Sequence, residues 1–302
     1  MARAVYKSEK GRAAVEGYYR AILGGFDTLP LRSDIVRTEL GATQVFHCGD
    51  SAKPPLILIH GSASNSASWL GVLPEFAPHF SLFCVDIPGE PGLSEPARMN
   101  LASGAPAEWL RQVLDGLGLR RAAFLGMSLG SFYALAFASA YPERAIALSL
   151  ITTAGVARQK TSFIFKAILC MLLGAPGQKQ LNKLVYHKAK VDPRVLEFQA
   201  LVSANFNPLT EIIPLFGDET LKRITMPLQY FGGDRDALVD TRRTAARLST
   251  LCPAAEIHVL ADTGHAILDQ WPAIHAFLLS ACAAIPGVIG SDHGPPHAEE
   301  RL

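Results

Sequence analysis

The 302-residue sequence predicts an α/β protein: a doubly wound, mostly parallel sheet with an inserted helical lid. Three observations predict it. Short β-type runs alternate with helical segments along most of the chain, which implies right-handed β-α-β crossovers. One run, Leu56-Ile57-Leu58-Ile59, is continuously apolar, as suits a strand covered on both faces. The stretch from Gly155 to Arg223 breaks the rhythm and is too long for a simple connection.

In chain order, Ser8 is placed to cap a helix running to Leu23, with a break at Gly24-Gly25. Two β-type runs follow, Ile35–Leu40 and Thr43–Cys48, on either side of the turn residue Gly41. Pro54-Pro55 opens the apolar strand. Ser81–Asp86 then reads as a strand, Gly104–Leu117 as a helix and Ala122–Leu125 as a strand. Leu129–Tyr141 reads as a helix and Ala145–Thr152 as a strand. The interrupted stretch holds three helix-like pieces, Phe163–Leu173, Gln178–His187 and Pro193–Val202. Beyond it come strand Leu228–Phe231, helix Thr241–Leu251, strand Glu256–Leu260 and helix Ala266–Leu279. The expected organisation is therefore a core in two parts, 1–154 with an extra N-terminal helix and 224–285. The lid occupies 155–223, and 286–302 forms a frayed tail rich in Gly, Pro and charge.

Composition narrows the function classes. Lys plus Arg is 28 and Asp plus Glu is 27, so the net charge of +1 leaves no broad footprint for nucleic acid or anionic lipid. Apolar residues make up 49% and charged residues 18%, enough for a substantial core. The longest apolar stretch, Phe163–Leu173, is interrupted by Lys166 and falls short of the roughly 20 residues that span a bilayer. The N-terminus has charges but no apolar segment of the secretory kind, so a soluble, cytoplasmic protein is expected. Five scattered cysteines without C-x-x-C fit reduced, buried thiols. Nine histidines show no H-x-x-x-H spacing on a helical segment, which argues against a metal, and no cofactor is expected.

The chemistry concentrates after the strands. Gly126-Met127-Ser128-Leu129-Gly130 lies between a strand and a helix, the setting of a nucleophile elbow. Its bland alternative is a glycine-rich turn with an N-cap serine. His60-Gly61-Ser62 follows the apolar strand, so a backbone N–H at Ser62 can serve an oxyanion together with the N–H of Leu129. Asp236 and His265 each follow a late strand, on the side where open α/β sheets bind ligands. Ser128, Asp236 and His265 occur in the Ser…Asp…His order of α/β-hydrolases.

On these residues the chain resembles α/β-hydrolase-fold enzymes of the capped serine-esterase type, over roughly Thr38 to Leu279. The block from Thr38 to His60 most resembles bacterial carboxylesterase-like members. The resemblance implies Ser128 as nucleophile, Asp236 as acid, His265 as base and Ser62 and Leu129 as oxyanion donors. Asp86-Ile87-Pro88-Gly89-Glu90-Pro91-Gly92-Leu93-Ser94 is similar to the family's D-x-P-G-x-G-x-S turn, with one extra residue between the glycines. The family pattern places the acid three residues after a glycine, which selects Asp236 after Gly233 over Asp234. Asp234 is better placed to cap its turn. Asp262, three residues before the histidine, is too close in sequence to reach around the imidazole. The other acid position used in this fold carries Thr152-Thr153-Ala154-Gly155 and no carboxylate.

The implied reaction is ester hydrolysis through an acyl-enzyme, with a small apolar substrate held by Trp69, Phe163, Phe165, Leu169 and Ile267. Alternatively, the apolar lid helix packs away as core or forms the contact of a homodimer. His60 is expected to brace the oxyanion loop and Asp86 to bond loop backbone. Trp69 and Trp271 are core or pocket wall, Trp109 packs in the core, and His258 is a structural histidine. The same triad also serves C–C bond cleavage, lactone opening, acyl transfer and perhydrolysis, and fold does not separate these. Haloalkane and epoxide chemistry is disfavoured because those relatives carry aspartate at the elbow. A non-catalytic ligand-binding role is the rival from another class. Such members often lose a triad residue, whereas this chain keeps all three.

Overall fold

The computed structural model describes residues 4–160, 162–163, 166, 169–170, 173–209, 211–284 and 300–301. Its strands are β1 (Arg32–Thr38), β2 (Gly41–Cys48), β3 (Pro55–Ile59), β4 (Ser81–Val85), β5 (Ala122–Met127), β6 (Ala145–Ile151), β7 (Leu228–Gly233), β8 (Glu256–Leu260) and the two-residue β9 (Glu300–Arg301). They form one sheet in the order β8-β7-β6-β5-β3-β4-β2-β1-β9. Pairings from β4 through β3, β5, β6 and β7 to β8 are parallel, and β2 runs antiparallel to both β4 and β1. The doubly wound, mostly parallel sheet expected from the alternation is present.

The two faces of the sheet are separated by the period-2 alternation of a strand. Ile57, Ile59, Phe83, Val85 and Phe124 pack on one face against α3 (Ala105–Gly116) and α4 (Leu129–Ala140). Leu56, Leu58, Leu82, Cys84 and Leu125 pack on the other, against α1 (Glu9–Gly24), the short α2 (Leu73–Phe76) and a C-terminal helix at Trp271–Ala283. Helix α4 sits so centrally that ten of its twelve residues are buried. The five cysteines are free and buried. Trp109 is core: its indole donates to Thr43 Oγ1 at 3.0 Å, and its ring meets Tyr133 edge-on. His258 stacks on Phe231 at 4.5 Å between centroids.

Several boundaries depart from expectation: the helix expected at Gln178–His187 spans Gly174–Tyr186, the one expected at Pro193–Val202 runs on to Asn205, and the first strand and the last helix also shift. Strand β1 starts at Arg32 and ends at Thr38, so the turn is Glu39-Leu40 and Gly41 opens β2 with a φ of +100°. The polar residues Arg32, Ser33 and Asp34 join the sheet through backbone pairing with β2, for which an apolar pattern gives no signal. The last helix begins at Trp271 instead of Ala266, and the N–H groups of His265 and Ala266 in the loop before it both donate to the Val185 carbonyl. Pro272 then occupies the first turn, where its missing N–H costs nothing.

Between β6 and β7 lie α5 (Gly174–Tyr186), α6 (Pro193–Asn205) and the short α7 (Asp218–Leu221), followed after β7 by α8 (Thr241–Leu251) and by α9 (Trp271–Ala283). The described residues of the apolar run, 162–163, 166 and 169–170, are helical, while 164–165, 167–168 and 171–172 lie outside the described residues. So does most of the tail, 285–299 and 302; residues 300–301 pair with β1. Helix α6 packs on α1: Tyr18 stacks on Phe198 and its hydroxyl donates to Glu197, and Lys7 N–H donates to the Asn205 carbonyl. No helix among the described residues is long and apolar enough to cross a membrane.

Helix α1 also reaches the loop after β4. Asp86 is fully buried and its Oδ1 accepts from Tyr19 Oη (3.0 Å), Ser66 N–H (2.9 Å) and Ser66 Oγ (2.6 Å). Its Oδ2 accepts from Leu93 N–H at 2.8 Å. A buried carboxylate needs such donors to offset its lost hydration. Tyr19→Phe removes one of them and is expected to cost about 1.5–3 kcal/mol in urea denaturation. A loss below about 0.5 kcal/mol, the range of an ordinary surface change, would show that Asp86 does not rely on α1.

Candidate active site

Ser128 stands between β5 and α4 with φ 53° and ψ −108°, a strained conformation for a residue with a side chain. Its surroundings hold it there. Ser128 N–H donates to the Ile151 carbonyl at 2.8 Å, and Phe132 N–H donates to the Ser128 carbonyl at 3.2 Å. The helix behind it presses against β3 so closely that a Cβ at Gly130 would stand 2.0 Å from the Ile59 carbonyl oxygen. Only glycine fits at that position.

The loops after β7 and β8 bring the other two groups to the serine. His265 Nε2 lies 3.0 Å from Ser128 Oγ, and His265 Nδ1 lies 2.7 Å from Asp236 Oδ2. Asp236 is 1% exposed and His265 7%, whereas Ser128 is half-buried. Burial pushes the Asp236 carboxyl up, but the His265 imidazole beside it and the N–H groups of Val239 and Leu238 outweigh this and leave it below its ordinary value. Its Oδ1 accepts from Leu238 N–H at 2.7 Å and Val239 N–H at 3.0 Å, so the carboxylate is fixed. Lys160 Nζ donates to the Asp236 carbonyl at 2.5 Å.

Asp234 does not point at His265. Its Oδ1 accepts from Thr263 N–H at 3.4 Å, while Asp234 N–H donates to Leu260 and Arg235 N–H to Thr263. These bonds stitch the two loops together, and the loops run so close that a Cβ at Gly233 would stand 2.2 Å from the Thr263 carbonyl oxygen. Asp262 faces away and pairs with His187 at 3.0 Å and with Lys188.

The loop after β3 covers the serine from the other side. Gly61 lies against the elbow, Ser62 is exposed and Leu129 is buried at the first position of α4. His60 is fully buried; burial lowers its pKa, so the ring is neutral. Its Nδ1 lies 2.8 Å from the Gly61 carbonyl and its Nε2 accepts from Ile87 N–H at 3.0 Å. The ring therefore ties this loop to the one after β4.

The expected pocket residues are spread. Trp69 and Ile267 are fully buried in the core, Trp69 edge-on to Trp271. Phe163 is half-buried, Leu169 is 60% exposed, and Phe165 lies outside the described residues. An open cleft of about 540 Å³ lies elsewhere, lined by Arg37, Glu39, Arg111 and Asp115, and touches none of the three groups around Ser128. Among the described residues no group of three or more His, Cys, Asp or Glu is arranged to hold a metal ion.

Two contributors have no signal in local sequence. Val185, at the end of α5, accepts from His265 N–H at 3.1 Å and from Ala266 N–H at 3.2 Å, so the inserted segment supports the histidine loop. Glu90, the residue after the first glycine of the β4 loop motif, is buried beside Ser62 and Ala63. A carboxylate in an apparently ordinary turn marks it only once the turn is known to be buried.

Residues 54–168 match the family model of the alpha/beta hydrolase fold. The chain is similar to nap, an uncharacterised carboxylesterase of Bacillus subtilis, at 26% identity over 264 residues, 84% of this chain and 88% of the relative. It is also similar to carboxylesterase YbfK of the same organism, at 27% identity over 273 residues, 86% of this chain and 92% of the relative. The crystal structure of YbfK aligns with a TM-score of 0.81 and 24% identity over 91% of this chain and all of that one.

Glu90 makes stability depend on pH. Burial pushes its carboxyl up to about 7, only partly offset by Ala63 N–H, the Arg98 charge and the Ser62 hydroxyl. An unfolded glutamate titrates near 4.5, so the folded chain holds this proton more tightly. Its contribution is therefore fully present below about pH 4.5 and is lost as the pH rises through about 7. Glu90→Gln does not titrate. Its stability relative to wild type is expected to rise by on the order of 3 kcal/mol between about pH 4.5 and about pH 8, read by urea denaturation. A difference that does not change with pH would contradict this.

Proposed function

We propose that this chain, a carboxylesterase-like hydrolase of the α/β-hydrolase fold, cleaves a small, largely apolar carboxylic ester through an acyl-enzyme on Ser128. The observation that carries the proposal is the continuous run of hydrogen bonds from Ser128 Oγ through His265 to Asp236. A serine hydroxyl is a weak nucleophile at neutral pH and needs a base within reach. His265 Nε2 takes the Ser128 proton as Oγ bonds to the carbonyl carbon and the π electrons move to oxygen. Asp236 holds the imidazole in the tautomer with a proton on Nδ1 and stabilises the imidazolium. The N–H groups of Ser62 and Leu129 receive the oxyanion. Collapse expels the alcohol, which takes its proton from His265. Water then repeats the sequence on the acyl-enzyme.

The segment between β6 and β7 acts in this reading as a lid, its apolar face toward the acyl or alcohol group. A cytoplasmic site of action without nucleic acid, membrane or cofactor belongs to the same reading, supported by the net charge of +1. A homodimer through the lid remains compatible with the exposure of Leu169. Haloalkane and epoxide chemistry is not proposed, since the elbow carries serine.

Turnover of a p-nitrophenyl ester tests the assignment. Ser128→Ala and Asp236→Asn are each expected to lower kcat by on the order of 10³-fold or more with folding intact, since one removes the nucleophile and the other the tautomer control. Asp234→Asn keeps an acceptor for Thr263 N–H and is expected to stay within about tenfold of wild type. Retention of activity by Ser128→Ala, or the reverse ranking of the two aspartates at matched folding, would overturn these roles.

A further inference from the structure

The oxyanion loop leaves the end of β3 with no helix or strand to stiffen it until the short 3-10 turn at Ser66–Trp69. Ala63 within it has a φ of 54°, in the left-handed region that residues with a side chain avoid. Something outside the loop must hold this conformation, and the turn after β4 does so at several points. Asp86 Oδ1 accepts from Ser66 N–H, the Pro91 carbonyl accepts from Asn65 Nδ2 at 2.9 Å, and Glu90 Oε2 accepts from Ala63 N–H at 2.6 Å. The last two struts come from Glu90 and Pro91, the residues between the two glycines where the motif carries its extra residue.

Glu90 is 5% exposed, and its surroundings are specific. The Ser62 hydroxyl hydrogen-bonds to it and Arg98 is the nearby cation; Arg98 also donates to the Asn207 carbonyl. Because Ala63 N–H is consumed by Glu90, it is not the donor for an oxyanion. Ser62 N–H has no hydrogen-bond acceptor among the described residues, and the preceding Gly61 lies against Ser128.

We propose that Glu90 is a positioning residue for ester hydrolysis: its carboxylate fixes the peptide joining Ser62 and Ala63 so that Ser62 N–H is aimed at the developing oxyanion. This rests on the reading of Ser128 as the nucleophile. Glu90 does not touch the substrate in this role. It acts through the backbone, so its loss belongs in kcat, where stabilisation of the transition state appears, and not in KM.

The test uses the full chain with p-nitrophenyl butyrate, and a trifluoromethyl ketone that forms a hemiketal oxyanion on the serine. Glu90→Leu is expected to lower kcat by on the order of 10–100-fold with KM within about threefold, and to weaken the ketone in proportion. Glu90→Asp, one methylene too short to reach Ala63 N–H, falls with it. Glu90→Gln, whose amide oxygen still accepts from Ala63 N–H, recovers most of the loss. Should the leucine variant not fold, the aspartate and glutamine pair decides. Wild-type turnover with the leucine or aspartate variant within about twofold, a loss confined to KM, or a glutamine variant as slow as the aspartate one would each overturn the assignment alone. Wild-type protein without fluorophosphonate-sensitive ester turnover would overturn the Ser128 reading, and the role of Glu90 with it.

Discussion

The backbone at Ser128 is the constraint on which the site depends. A non-glycine residue at φ 53° and ψ −108° is costly, of order 1–3 kcal/mol, and persists only where its surroundings over-determine it. Here β5 and β6 fix one side through Ser128 N–H and the Ile151 carbonyl, and α4 fixes the other. Helix α4 can start abruptly because Gly130 lets it press on the end of β3. That contact brings the loop after β3 against the elbow, so one close approach serves both the serine and the backbone opposite it.

A second layer of buried polar groups makes the loops behave as one body. Asp86 joins the turn after β4 to the 3-10 turn and to α1, His60 joins the loops after β3 and β4, and Asp234 joins those after β7 and β8. These bonds run between segments far apart in the chain and lie in regions of low dielectric, where a satisfied network specifies a single arrangement. The N-terminal helix, additional to the minimal fold, is part of that network through Tyr19 and also contacts α6 through Tyr18, while Lys7 just before it bonds to the Asn205 carbonyl. Val185 then links the inserted segment to the histidine loop. The insertion is thus tied to the core at both the front and the back of the site.

Much of this was legible in the residues because strong local patterns agreed with the fold. The buried strands β3 and β7, edge strand β8 and helix α8 follow from apolar runs and caps, and the Ser128, Asp236 and His265 positions follow from their places after strands. What failed to show depended on distant partners. Residues 266–270 look helical, yet His265 and Ala266 give their N–H groups to Val185, some eighty positions earlier. The polar start of β1 is set by pairing alone. Trp69, expected as core or pocket wall, and Ile267, expected in the pocket, both have buried side chains in the core. Glu90 and Tyr19 reach across 27 and 67 positions, beyond any local pattern.

The central claim is that Ser128 is the one hydroxyl made nucleophilic by its surroundings. Ser131 also lies on the elbow, but its Oγ is buried and donates to the Gly126 carbonyl at 2.6 Å, while the exposed Ser62 pairs its hydroxyl with the Glu90 carboxyl and not with a histidine. Reaction of the folded protein with a fluorophosphonate, followed by peptide mass mapping, separates them. The account predicts one adduct, on Ser128, which disappears when the protein is first unfolded. An adduct on Ser62 or Ser131, or no adduct on folded protein, would contradict it.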